Sequence, residues 1–217
     1  LASASVAESS AGGDPSLMAG KAALEDGLYE LAQKQARAVL DALDRSAADK
    51  ADAVLILARA LHGQERFAEM VAVLEEGRIR AAPAALAAGL LYWRAMGQYA
   101  MGRQAEALRD LDVLEAGWAN SPYSVQALRL RAWCELKLGR AERAFGAFAA
   151  FERDRGKTDE GLVNLLDWAR ALMETDDLVQ ARQKLETLIS RAPETDAGQV
   201  ARIWLAQVLI REKKNEK

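Results

Sequence analysis

Apolar residues recur along the chain at the three- and four-residue intervals of amphipathic helices, and the whole pattern itself repeats. Ala58, Ala95, Ala132, Ala169 and Ala206 stand 37 residues apart at every step. Neighbouring columns keep the same period. One holds Val54, Leu91, Leu128 and Leu165; a second Met70, Ala107, Ala144 and Ala181; a third Leu74, Leu111, Phe148 and Leu185; a fourth Arg66, Arg103 and Arg140. A weaker copy comes first, one residue out of step: Gly20, Ala32 and Ala36 lie 38 before Ala58, Met70 and Leu74. Self-similarity at this period marks small supersecondary units stacked in a row.

Each unit reads as two amphipathic helices joined by a tight turn. Gly102 separates the helical patterns Leu91–Met101 and Ala105–Leu114, and Gly139 does the same one unit later. Glycine closes a helix in the left-handed conformation without a Cβ clash. Glu65 and Asp176 occupy that column in the second and fifth units, so those two turns are expected to be less regular. Pro15, Pro83, Pro122 and Pro193 all fall between units, where a missing N–H does no harm. Asp14-Pro15 and Ser121-Pro122 pair a capping side chain with proline at the first helical position, and Ser46 and Thr158 also read as caps. Alanine recurs where two antiparallel helices cross closely, since a larger side chain would push the axes apart. Leu74, Leu111, Phe148 and Leu185 then fill the space toward the next hairpin.

Composition agrees with an all-α chain. Of 217 residues, 51% are hydrophobic and 28% charged, with four threonines, five isoleucines and four prolines, too few β-branched and turn residues for a many-stranded fold. The small residue, Gly turn, small residue and bulky apolar residue seen at Ala132, Gly139, Ala144 and Phe148 resemble the tetratricopeptide repeat. That motif is normally 34 residues long, so the extra three are assigned to the inter-hairpin loop. The resemblance covers Leu17 to about Ile210. It implies a right-handed superhelical solenoid of about five helix hairpins plus a C-terminal helix. The expected organisation is a flexible leader over 1–14 and one repeat domain over 15–217, with repeats at 15–45, 46–82, 83–120, 121–157 and 158–193 and a terminal helix at 194–217.

One feature of the pattern breaks in the middle. The two columns that bury the first helix read Leu57, Arg94, Arg131, Trp168, Leu205 and Leu61, Gln98, Glu135, Leu172, Leu209. The central repeats are polar there. Rotation of the helix, with Trp93, Met96, Tyr99 and Leu130, Trp133, Leu136 taking the core role, or simple solvation of the polar positions, is the simpler account. The alternative is a ladder of partly buried, paired charges between adjacent hairpins.

The resemblance also implies that the first helices line a concave face suited to extended or helical peptides. Its columns would be Leu55, Tyr92, Arg129, Leu166, Ile203; Arg59, Met96, Trp133, Arg170, Gln207; and His62, Tyr99, Leu136, Met173, Ile210. Aromatic, Met and Arg residues are enriched at binding hot spots, so the candidate partner-binding residues are Arg59, His62, Tyr92, Met96, Tyr99, Arg129, Trp133, Arg170 and Met173. Chaperone-binding members of the family place Asn in the column that starts at Arg59; none stands there, so a carboxylate clamp for chaperone tails is not expected.

Catalytic chemistry is absent from the pattern. His62 is the only histidine and Cys134 the only cysteine, which excludes a His-His or Cys-based metal site and an intrachain disulfide. There is no phosphate loop or dinucleotide fingerprint. The acidic pairs Glu75-Glu76, Asp159-Glu160 and Asp176-Asp177 are adjacent, and neighbours on a helix diverge by about 100°. No cofactor is expected. A net charge of −3 argues against a sequence-independent nucleic-acid binder. No apolar run is long enough to span a bilayer. Ala2-Ser3-Ala4 and Ser5-Val6-Ala7 carry the small-x-small spacing of a signal-peptide cleavage site, which points to an extracytoplasmic protein, with a cytoplasmic one as the alternative. The sequence therefore describes a protein- or peptide-binding scaffold that resembles bacterial cell-envelope tetratricopeptide proteins. The competing reading is an assembly module, since Ala206 and Leu209 on the terminal helix have no following helix to cover them and could pack on a second copy or a further domain.

Overall fold

The computed structural model describes residues 14–215; the expected leader, apart from Asp14, lies outside them. Every regular element among the described residues is a helix. The chain forms two compact units that meet between Met101 and Gly102. The first contains α1 (Pro15–Glu25), α2 (Tyr29–Asp41), α3 (Ala47–Gly63), α4 (Phe67–Val73), α5 (Glu76–Ala81) and α6 (Ala84–Ala100). The second contains α7 (Gln104–Trp118), α8 (Tyr123–Lys137), α9 (Ala141–Arg155), α10 (Asp159–Glu174), α11 (Leu178–Arg191) and α12 (Asp196–Asn215).

Some of the helix starts are held by capping side chains. Asp14 Oδ1 accepts from Ser16 N at 2.7 Å with Pro15 behind it, and its carboxylate also pairs with Arg45 at 3.0 Å. Ser46 accepts from Asp49 N and Thr158 from Gly161 N; Ser121 accepts from Tyr123 N, but the N-cap of α8 is Pro122, not Ser121, so the expected cap falls one residue early there.

The turns inside the hairpins are uniform, against expectation. Glu65 (φ 57°) and Asp176 (φ 62°) adopt the same left-handed conformation as Gly27, Gly102 and Gly139. The same six-residue bond closes four of these loops, Leu28 N to Ala23 O at 2.7 Å and Arg66 N to Leu61 O, Arg140 N to Glu135 O and Asp177 N to Leu172 O at 2.9 Å. Packing of the two helices on either side fixes the turn geometry. A residue with a Cβ is forced into it at a cost of about 1–2 kcal/mol.

A second departure lies in the second repeat, whose second helix is broken. α4 stops at Val73 and α5 begins at Glu76. Gly77 weakens helix propensity at this point, and the Leu74 carbonyl is captured by Arg94 Nη1 at 3.4 Å. Leu74 itself stays fully buried, so the break leaves the core column intact.

The core of each unit is built on the repeated columns. Ala58, Met70, Leu74 and Ala95 in the first unit, and Ala107, Ala132, Ala144, Phe148, Ala169, Ala181 and Leu185 in the second, are all essentially inaccessible. Gly97 sits where an added Cβ would come within 2.8 Å of Val71, and a Cβ on Gly63 would collide with the ring of Tyr29.

Within each unit the arginine of these columns, Arg94 or Arg131, is paired as the ladder reading has it, while Leu130 is buried as the rotation reading has it and Glu135 pairs with Arg140 of its own hairpin at 3.2 Å. Gln98 and Glu135 are buried, at 7% and 5% exposure. Arg94 also pairs with Glu76 at 2.9 Å, and Arg131 with Asp112 and Glu115 at 2.7 and 3.1 Å. Each arginine thereby ties its helix to the second helix of the preceding repeat. Trp93, Met96, Tyr99, Trp133 and Leu136 remain only half-buried as a result.

Replacing Glu65 with Gly relieves the left-handed strain without removing any ion pair in which Glu65 takes part. Glu65→Gly should raise stability by about 1 kcal/mol, a rise in melting temperature of about 2–4 °C, whereas Gly139→Val should lower it by at least as much. Thermal unfolding followed by circular dichroism reads both.

Candidate functional site

In the first unit, α3 and α6 lie side by side and present an aromatic cluster. The His62 ring lies 5.3 Å from Trp93 and 5.7 Å from Phe67, both edge-on. Tyr92 meets Trp93 edge-on at 5.6 Å. The exposed Arg59 guanidinium stands 6.0 Å from the Trp93 ring, within cation–π range. Tyr92, Met96 and Tyr99 are half-buried along α6, each with one side toward solvent. Leu55, which shares the Tyr92 column, is buried at 7% exposure and belongs to the core instead. Desolvation lowers the His62 pKa from its ordinary value, so the imidazole is held neutral near pH 7.

In the second unit the corresponding surface is formed by α8, α10 and α12. Arg129 donates through Nε to Asp167 at 3.0 Å, linking α8 to α10. The Arg170 guanidinium lies 5.3 Å from the Trp133 ring and pairs with Glu174 at 3.0 Å. Beneath Trp133 the aromatic series continues inward, edge-on to Phe148 at 5.9 Å and from there stacked on Trp168 at 6.3 Å. Arg170, Met173, Glu174, Trp204, Gln207 and Arg211 surround a cavity of about 390 Å³. Arg211 is held in place by Met173 O at 3.0 Å and Asp176 at 2.7 Å.

Within the first unit, then, Arg59, His62, Tyr92, Met96 and Tyr99 share the α3–α6 surface; within the second, Arg129, Trp133, Arg170 and Met173 share the α8–α10 surface. All nine are half-exposed or exposed. Sequence reasoning overlooked Trp93 as the platform under Arg59, and Asp167 and Trp204 in the second unit. These three, with Leu130, form one further column at the 37-residue step, and that spacing is their signal in the sequence. The counter-charge Glu174 was overlooked too.

Among the described residues no three His, Cys, Asp or Glu side chains converge as a metal site, and no helix is long and apolar enough to cross a membrane. The Cys134 thiol is buried, and desolvation pushes its pKa up to about 12, away from the thiolate needed of a nucleophile.

A family model described as a tetratricopeptide repeat-like domain matches residues 81–217. The chain belongs to this tetratricopeptide repeat-like family. No curated protein matches it in sequence. Solved structures share the fold at low identity. A putative kinesin light chain from Podosopora anserina with nearly identical TPR-like repeats superposes with a TM-score of 0.67 at 17% identity, over 83% of this chain and 95% of that one. YrrB, described as a TPR protein with an unusual peptide-binding site, gives 0.59 at 18% identity over 87% and 90%. A Rap protein complexed with competence and sporulation factor gives 0.61 at 14% identity over 92% of this chain and 64% of that one. The tetratricopeptide fold typically serves as an interaction scaffold, and this chain has that fold.

Two measurements follow. Because the folded-state pKa of His62 lies below its unfolded value near 6.5, the unfolded chain binds the extra proton, and stability should fall as pH drops below about 6.5 toward the folded pKa. His62→Gln should flatten that part of the stability–pH curve measured by denaturant unfolding. Cys134 should resist a thiol reagent at pH 8 in the native chain and react at once in denaturant.

Proposed function

We propose that this chain is a non-catalytic interaction scaffold that grips a peptide or protein segment on the face of its first helices. The observation that supports this most is the Trp133–Arg170 pair beside the cavity edged by Met173, Trp204 and Gln207. Rigid aromatics, a methionine and arginines standing half-exposed around a concavity can bury the apolar side chains of a ligand while the guanidinium groups meet its carbonyls or carboxylates. In the first unit, Arg59 with Trp93, Tyr92, Met96 and Tyr99 offers a similar mixture. Their position on tightly packed helices, rather than on loops, keeps the ordering cost of binding low. Among the structural neighbours, YrrB is described by its peptide-binding site and the Rap protein is complexed with a factor, in keeping with this reading.

The setting we propose is the bacterial cell envelope, in assembly work outside the cytoplasm. That part rests on the small-x-small spacing at Ala2-Ser3-Ala4. Fractionation of the tagged parent protein should place it outside the cytoplasm; recovery with cytosolic markers would overturn that localisation.

Peptides selected from a random displayed library on the immobilised chain provide the binding test. A Tyr99→Ala/Trp133→Ala double variant, and separately Arg170→Glu, should weaken the selected peptides at least tenfold, about 1.4 kcal/mol, with helical circular dichroism unchanged. Undiminished affinity in both variants would remove this face as the binding surface.

A further inference from the structure

The last helix carries a self-complementary stripe. One side of α12 packs into the second unit through Gly198, Ala201 and Val208. The opposite side is open: Ile203 is 60% exposed and Ile210 56%, with Ala206, Gln207, Gln199, Asp196 and Lys213 also exposed. Asp196, Ile203 and Ile210 follow one another at seven-residue intervals, and Gln199, Ala206 and Lys213 occupy the position three residues after each. These are the two seam positions of a heptad repeat. Ala206 also belongs to the column of Ala58, Ala95, Ala132 and Ala169, every one of which is fully buried, while Ala206 is not.

We propose that α12 pairs antiparallel with α12 of a second copy of this chain about a two-fold axis. The axis falls between Trp204 and Leu205 along the helix. In this register Ile203 of each copy faces Ala206 of the other, so a large side chain meets a small one twice and the helices can approach closely. Ile210 covers the stem of Gln199. At both ends Asp196 faces Lys213, and neither residue forms an ion pair among the described residues of one copy. Exposed Glu194 and Lys214 add charge of the same signs at the same ends. A parallel pair would place Asp196 against Asp196 and Lys213 against Lys213, so charge selects the antiparallel arrangement. Two helix stripes bury less than a standard interface, so the dimer is weak and weakens further with salt.

Sedimentation equilibrium of the 217-residue chain in low salt, from about 5 to about 300 µM, tests this. A reversible dimer with a dissociation constant of tens of micromolar is expected. Ala206→Glu, at an exposed position that leaves the fold intact by circular dichroism, should weaken it more than tenfold. Asp196→Lys and Lys213→Asp should each weaken self-association. Mixing the two variants restores opposite charges at both ends and should restore the dimer. A chain that stays monomeric throughout, a dimer indifferent to Ala206→Glu, or charge variants that fail to recover on mixing would each overturn the pairing. A monomer would also leave the stripe to some other partner, and that outcome counts against the proposal.

Discussion

Everything in this structure depends on helices crossing at side chains no larger than a methyl group. Ala58 and Ala95 in the first unit, and Ala132, Ala169 and Ala181 in the second, have no accessible surface. Where a still closer approach is needed glycine replaces alanine, as at Gly63 beneath Tyr29 and Gly97 beside Val71. Such contact brings two helical backbones within dispersion range over several turns, and lets Leu74, Phe148 and Leu185 fill the gap beyond without voids. A single hairpin could not offset its ordering entropy by this means. Neighbouring hairpins within a unit share the buried columns and become stable together.

The same demand explains the turns. Once two helices are held at that separation, the connection has one workable geometry, and Glu65 and Asp176 must enter the left-handed region just as Gly139 does. Local preference yields to packing because many buried contacts outweigh one strained residue. Asp tolerates the region better than Glu through its short polar side chain, and Asp176 further gains Arg211 as an ion partner.

The paired charges also decide which bulky side chains stay half-exposed. Arg94 and Arg131 spend the inward face of their helices on contacts to the preceding repeat, with Glu76, Asp112 and Glu115 as partners. Half-exposed acids on one side of each pair keep the desolvation penalty moderate. Because polar groups fill that face, the bulky residues Trp93, Met96, Tyr99 and Trp133 are left between core and solvent. Their half-exposure thus arises from how the repeats are joined. Cation–π contacts from Arg59 and Arg170 then keep two of these rings in fixed orientations.

Repeat length, turn positions and core columns could be read from the chain alone, because a period of 37 residues leaves its mark in every layer at once: Ala58 to Ala206 for the crossings and Gly139 for the turns. The family followed from the same columns. The broken helix at Leu74–Glu75 could not be read, since it depends on Arg94, twenty residues away, taking a carbonyl that would otherwise belong to a helix. Nor could the choice between rotation and ladder, which turns on whether Arg131 finds Asp112 and Glu115 within reach. Periodicity reports which side of a helix is apolar. Only the tertiary arrangement decides which polar groups find partners, because those partners come from other helices and their distances are set by packing.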